Sequence, residues 1–199
     1  MKRATRTSGD IRRVQIKQAA KEIIFEEGLQ KLSTRNIAAK VGISEGTIFR
    51  HFGTKKEILL DLVSDVKTEL FEPLHEIANH DDTPDKRLHD YICYHISYLA
   101  KNKGITILFF TEASYQNNEV LKTELGKIYI ELKQNFAKII TDGINAGLWD
   151  PDVPAENLSG LYMGIPLTLN IEFTLNPENF LEENFCNKMH SLLLKILRK

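Results

Sequence analysis

Apolar residues recur along this chain at spacings of three and four, with no convincing two-residue alternation, so the pattern predicts helices almost from end to end. Ile16, Ala19, Ala20, Ile23 and Ile24 mark the inner face of a first helix over about 10–27, capped by Asp10 and closed by Gly28. Ile37, Ala38 and Val41 mark a second, short helix; Ser33 or Thr34 can cap its start, and Gly42 supplies the left-handed residue that ends it. Ser44 can cap a third helix over 45–52, whose Ile48 and Phe52 point into a small core. A fourth begins near Lys55, carries Ile58, Leu59, Leu62, Val63, Val66 and Leu70, and is ended or kinked by Pro73. After the polar stretch Asn79–Pro84, helices are predicted over about 84–102, 105–113, 119–146 and 155–175, with a last one opening at Asn176-Pro177. The expected fold class is all-α, about nine helices, with a three-helix head at 1–55 and a helical body at 56–199.

Charge sharpens this division. The chain is nearly neutral, at −1, but residues 1–60 hold 13 Lys and Arg against 6 Asp and Glu, a net of +7, and the remainder carries −8. A basic head on an acidic body suits a protein that meets phosphate with one end only. No run of apolar residues is long enough to span a membrane, and the basic N-terminus lacks the apolar stretch of a secretory signal, so it reads as a basic arm. Cys93 and Cys186 stand isolated in the sequence, which points to a reducing, cytoplasmic setting.

The head carries the chemistry. Residues 33–56 form a helix, a tight turn and a second short helix, the arrangement that lays its second helix in the major groove of double-stranded DNA. The stretch Thr34-Arg35-Asn36-Ile37-Ala38-Ala39-Lys40-Val41-Gly42-Ile43-Ser44-Glu45-Gly46-Thr47-Ile48-Phe49-Arg50-His51-Phe52-Gly53-Thr54-Lys55-Lys56-Glu57-Ile58-Leu59 also resembles the DNA-binding domain of the tetracycline-repressor (TetR) family of bacterial regulators. The resemblance is specific over 11–65 and extends in layout to the whole chain. It implies DNA contacts at Thr34, Arg35, Gly46, Thr47, Phe49, Arg50, His51 and Lys55. Their chemistry fits: Thr34, Thr47 and His51 can donate to phosphate, Lys55 brings charge and backbone N–H groups at a helix start, Phe49 can pack on sugar or thymine methyls, and Arg35 and Arg50 can read guanine. Gly46 lets the helix sit close without specifying a base. Phe49 and His51 can instead pack the small domain. Arg3, Arg6, Arg12 and Arg13 fit phosphate contact and simple solvated charge about equally.

For the body, the resemblance implies a small-molecule pocket whose occupant releases DNA, and a homodimer built from the last two helices of each copy. Tyr91, Tyr94, Phe109, Phe110, Phe136 and Tyr162 are the candidate pocket residues, although large aromatics at helical spacing are more often plain core. Few charges accompany them, so a hydrophobic effector is expected. Apolar residues on more than one face of 155–197, together with Gly160, Gly164 and Leu192-Leu193-Leu194, fit the dimer. His89, Cys93 and His95, spaced by four and two without an acidic cluster beside them, make a poor metal site. No catalytic motif stands out, and neither cofactor nor metal is implied. The expected function is a sequence-specific transcriptional regulator, a repressor on a palindromic operator released by a hydrophobic inducer. The alternative is a DNA-bound protein whose body docks another protein.

Overall fold

A computed structural model describes residues 8–102, 106, 109, 119–175 and 182–198, and every regular element among them is helical. The chain divides into two compact units, residues 1–64 and 65–199, with the division falling inside a helix.

The first unit contains α1 (Ser8–Glu27), a single 3-10 turn at Leu29–Lys31, α2 (Thr34–Val41), α3 (Glu45–His51) and most of α4 (Lys55–Val66). The expected inner face of α1 is buried at Ile16, Ala19, Ala20, Ile23 and Ile24. Ser33, rather than Thr34, caps α2: its Oγ accepts the Asn36 N–H at 3.0 Å. Gly42 adopts φ 75° and closes α2 with two returning bonds, its own N–H to Ala39 and that of Ile43 to Ala38. That left-handed step needs a residue without Cβ, and it turns the chain directly into α3. With seven residues, α3 is too short to persist alone. Complete burial of Ile48 and near-complete burial of Phe52 supply roughly 1.5–3 kcal/mol each. At the start of α4, Thr54 Oγ1 accepts the Glu57 N–H at 3.2 Å while Glu57 reaches back to the Gly53 N–H at 2.9 Å.

The second unit continues through a π-helical turn, Lys67–Phe71, into α5 (Glu72–Asn79). Pro73 accounts for the disturbance. It has no N–H to return to the carbonyl of Glu69, and the Tyr94 hydroxyl donates to that carbonyl instead, at 2.7 Å. Then come α6 (Pro84–Lys101), α7 (Glu119–Asn145), α8 (Ala155–Tyr162), α9 (Gly164–Leu175) and α10 (Glu182–Leu197). The single helix expected over 155–175 is two. Pro166 cannot donate to the Tyr162 carbonyl and its ring would crowd it, so α8 ends there. Of the helix expected over 105–113, only Thr106 and Phe109 are described, and both are helical and buried. The expected opening of the last helix at 176–177 lies outside the described residues.

Helix α6 packs along α5, α7 and α10 and organises the body. Arg87, buried on it, donates from Nη1 to the Ala78 carbonyl at 2.8 Å and to Asp142 at 2.9 Å, tying the ends of α5 and α7 together. On α10, Leu193 turns into the body's own core, whereas Leu192 and Ile196 remain exposed. Leu167, Ile171 and Leu175 do the same on α9, each more than half exposed at 54%, 57% and 70%. The cysteines, isolated in the sequence, are not isolated in space. Packing of α6 against α10 brings Cys93 and Cys186 together as a disulfide with Cα atoms 5.2 Å apart, across a sequence separation of 93.

Candidate nucleic-acid interface and body cavity

Helices α2 and α3 place the candidate DNA-contacting side chains of the head. Phe49 is 51% exposed although its neighbour Ile48 is wholly buried, so α3 presents an aromatic ring outward on the face away from its core. Arg35, Gly46 and Arg50 are exposed; Thr34, Thr47, His51 and Lys55 are partly so. Ser44 and Thr47 share a hydrogen bond at 2.9 Å, and Arg50 Nη2 donates to Thr47 Oγ1 at 3.3 Å, which lays the guanidinium back along α3. The Thr34 hydroxyl donates to a Glu45 carboxylate oxygen, joining the first turn of α2 to that of α3. To donate to a phosphate it must first leave Glu45. Lys55 stands at the first position of α4, where the helix dipole adds to its own charge.

Arg13 has a role that sequence reasoning missed. Its Nη1 donates to the His51 carbonyl at 2.6 Å, its guanidinium lies over the Phe52 ring at 4.1 Å, and its Nη2 pairs with Asp61 at 3.2 Å. One arginine thus caps the C-terminus of α3 and joins it to α1 and α4. Lys17 joins the same carboxylate at 3.3 Å. Lys40 pairs with Glu26 and Glu22 at 2.7 and 3.5 Å, and the hydrogen bond to Glu26 raises its pKa. These pairs fix the angle between the helices of the head. Only a tertiary view separates them from charges left for DNA. Arg3 and Arg6 lie outside the described residues.

The body holds a partly open cavity of about 200 Å³. Its described walls are Leu70 from the π turn, Leu99 on α6, Leu132 on α7, and Met163, Pro166 and Leu167 around the α8–α9 break; His95, Thr106 and Tyr129 complete them. His95 Nδ1 meets the Tyr162 hydroxyl at 2.9 Å, and burial pushes its pKa down to about 4, so the imidazole is neutral at neutral pH. The Thr106 hydroxyl is buried in the wall with no well-formed hydrogen bond to a described residue.

Of the aromatic residues singled out in the sequence as pocket candidates, none of the described ones is among these walls. Tyr91, Phe136 and Tyr162 are fully buried as one cluster, with Phe136 and Tyr162 stacked at 4.0 Å. The two tyrosine hydroxyls reach wall residues of the cavity, Tyr162 at His95 and Tyr91 at the Leu132 carbonyl, each 2.9 Å away. Burial raises the pKa of both phenols well above the ordinary value. Tyr94 is engaged with Glu69, Phe109 is buried, and Phe110 lies outside the described residues. The aliphatic lining carries no signal in the sequence beyond ordinary helical spacing.

Comparison with known proteins supplies context. The family model described as bacterial regulatory proteins, tetR family, matches residues 16–62, from within α1 to within α4. The chain is similar to the fatty acid metabolism regulator protein of Bacillus subtilis, 29% identical over 136 residues, covering 67% of this chain and 69% of that protein. It is also similar to the nucleoid occlusion factor SlmA of Aliivibrio fischeri, 25% identical over 132 residues and covering 66% and 67% of the two chains. Among solved structures, the transcriptional regulator FadR from Bacillus subtilis in complex with stearoyl-CoA superposes with a TM-score of 0.73 at 25% identity, covering 91% of this chain and 97% of that one.

Proposed function

From the premise that this chain belongs to the tetR family of bacterial regulatory proteins and is a DNA-binding transcriptional regulator, we propose that it is a repressor that binds a palindromic operator as a homodimer and releases it when a hydrophobic small molecule fills the body cavity. The observation that carries the effector reading is the apolar space of about 200 Å³. A dry apolar cavity of roughly 150 Å³ binds benzene, so this one suits a ring or one end of an aliphatic chain. The solved complex of the Bacillus subtilis regulator with stearoyl-CoA supports an acyl chain as that occupant. The remainder of such a ligand would lie beyond the described walls.

Exposed Phe49, Arg50 and Arg35 are the proposed base-contacting set, with Thr34, Thr47, His51 and Lys55 on phosphate and Gly46 allowing close approach. Two such heads on a two-fold would meet half-sites one helical turn apart, about 34 Å. The exposed apolar residues of α9 and α10 are the proposed dimer face. A regulator of this kind works in the cytoplasm, beside the chromosome.

The test is selection of bound DNA fragments, followed by titration of the protein–operator complex with long-chain acyl-CoA, the free fatty acid and unrelated apolar compounds. Release by the acyl compounds is expected, with a coupling of about 1–3 kcal/mol. If compounds bind without changing operator affinity, effector control is wrong. The similarity to nucleoid occlusion factors then favours a body that docks another protein.

A further inference from the structure

Away from the cavity, four metal-ligating side chains converge where α6 meets α10. His89 and Cys93 are one turn apart on α6, and Cys186 and His190 are one turn apart on α10. Each pair therefore projects from one helix face, and the two faces are packed together. His89, Cys93 and Cys186 bring their ligand atoms within 4.8 Å of one another. His89 Nε2 is 3.5 Å from Cys93 Sγ. The His190 ring stands edge-on to that of His89 with centroids 5.0 Å apart, and its Nε2 is buried with no hydrogen-bond partner among the described residues.

We propose that, with the cysteines reduced, His89, Cys93, Cys186 and His190 form a tetrahedral two-sulfur, two-nitrogen site for a thiophilic divalent cation of the zinc type. Metal–sulfur bonds of about 2.3 Å and metal–nitrogen bonds of about 2.0 Å place tetrahedral ligands roughly 3.3–3.8 Å apart, so the two sulfurs must part on reduction, whereas the 3.5 Å between His89 Nε2 and Cys93 Sγ already fits. Two thiolates with two imidazoles select zinc over the hard cations, which prefer oxygen. A plain disulfide would need neither histidine. Nor would it account for the unpaired His190 nitrogen. His89 Nδ1 lies 3.3 Å from Asp90 Oδ1, the carboxylate–imidazole pairing that turns the other ring nitrogen toward a metal. Asn187, whose Oδ1 is 3.2 Å from His89 Nε2, must give way on binding. Loading the ion on two thiols and neutral imidazoles releases two protons and changes no oxidation state. Metal and disulfide exclude each other.

The full chain, reduced under anaerobic conditions, is titrated with cobalt(II) as a spectroscopic stand-in and then with zinc(II). One equivalent of cobalt should give the thiolate charge-transfer band and the intense visible bands of tetrahedral coordination, and zinc should bleach both. Cys186→Ser should weaken or abolish the charge-transfer band. Because Cys186 is buried, His89→Gln and His190→Gln serve as the second readout; each should lower affinity by more than about tenfold with the helical circular dichroism retained. Octahedral cobalt only, an affinity unaffected by the histidine substitutions, or reduced protein that takes up no metal would each overturn the assignment.

Discussion

Acid should unfold this protein partly through one buried ring. His95 is 3% exposed, and burial holds its pKa at about 4 against an ordinary 6.5. Between those values the unfolded chain carries a proton that the folded chain refuses, so stability falls as pH falls. A gap of about 2.5 pH units at about 1.4 kcal/mol each makes the loss about 3 kcal/mol when the pH reaches 4. That corresponds to roughly 6–12 °C in melting temperature for a chain of this size. The proper reference is His95→Gln, whose amide oxygen still accepts from the Tyr162 hydroxyl but does not titrate. Urea midpoints of both proteins would be followed by circular dichroism from about pH 7 to about pH 4, the range set by this linkage. Asp82, Asp90 and Asp142, whose pKa values are lowered, and His190, whose pKa is also lowered, act in both proteins and drop out of the difference. The wild type should lose stability more steeply below about pH 6.5, with the gap closing at neutral pH. Parallel curves would refute the argument, because they would mean that His95 accepts its proton inside the fold.

Further outcomes follow from the head, the dimer face and the body. In a dimer, Lys55→Ala removes two cations, so the slope of log affinity against log salt should shrink by about 2, measured by fluorescence anisotropy on the operator. An unchanged slope would place Lys55 away from the phosphates. Arg35→Ala should cost roughly 1–3 kcal/mol on the specific site and little on random DNA, and equal losses on both would make it a backbone contact. Leu192→Glu should yield monomers in sedimentation without unfolding, since Leu192 is exposed, whereas the buried neighbour Leu193 would unfold the body if charged. Gly143→Ala should destabilise by roughly 1–3 kcal/mol in urea, because its Cβ would overlap the buried Trp149 ring. Full stability would mean that the indole can move aside freely.

The head was legible in the sequence because its signals are local. Caps at Ser33 and Ser44, the Gly42 turn and the spacing of Ile37, Ile48 and Phe52 act within a few residues, and the structure realises each of them. The helix-disturbing Pro73 and Pro166 were visible as well. What Pro166 does, however, depends on where its ring meets a preceding carbonyl, and a single long helix was expected there. The cavity was not legible. Its described lining is mostly aliphatic, with His95, Thr106 and Tyr129 among it, and comes from separate helices, while the stacked Phe136 and Tyr162 are not part of it. Arg13 and the Cys93–Cys186 contact were hidden for the same reason, since their partners lie 38 and 93 positions away.

The π turn at Lys67–Phe71 behaves as a dislocation does in a crystal. It holds one residue more than the surrounding α-helical lattice accommodates, and such a surplus can glide from turn to turn without unwinding the helix. Here it is pinned, by Pro73 from below and by the Tyr94 hydroxyl on the Glu69 carbonyl from the side. Only the second pin can be withdrawn. Each one-residue step of the defect would turn the residue it passes by about 100° and shift it by about 1.5 Å along the axis, leaving the helix on either side in place. Leu70, in the cavity wall, rides on the defect itself. A step of the defect past Leu70 would therefore redraw that wall of the cavity.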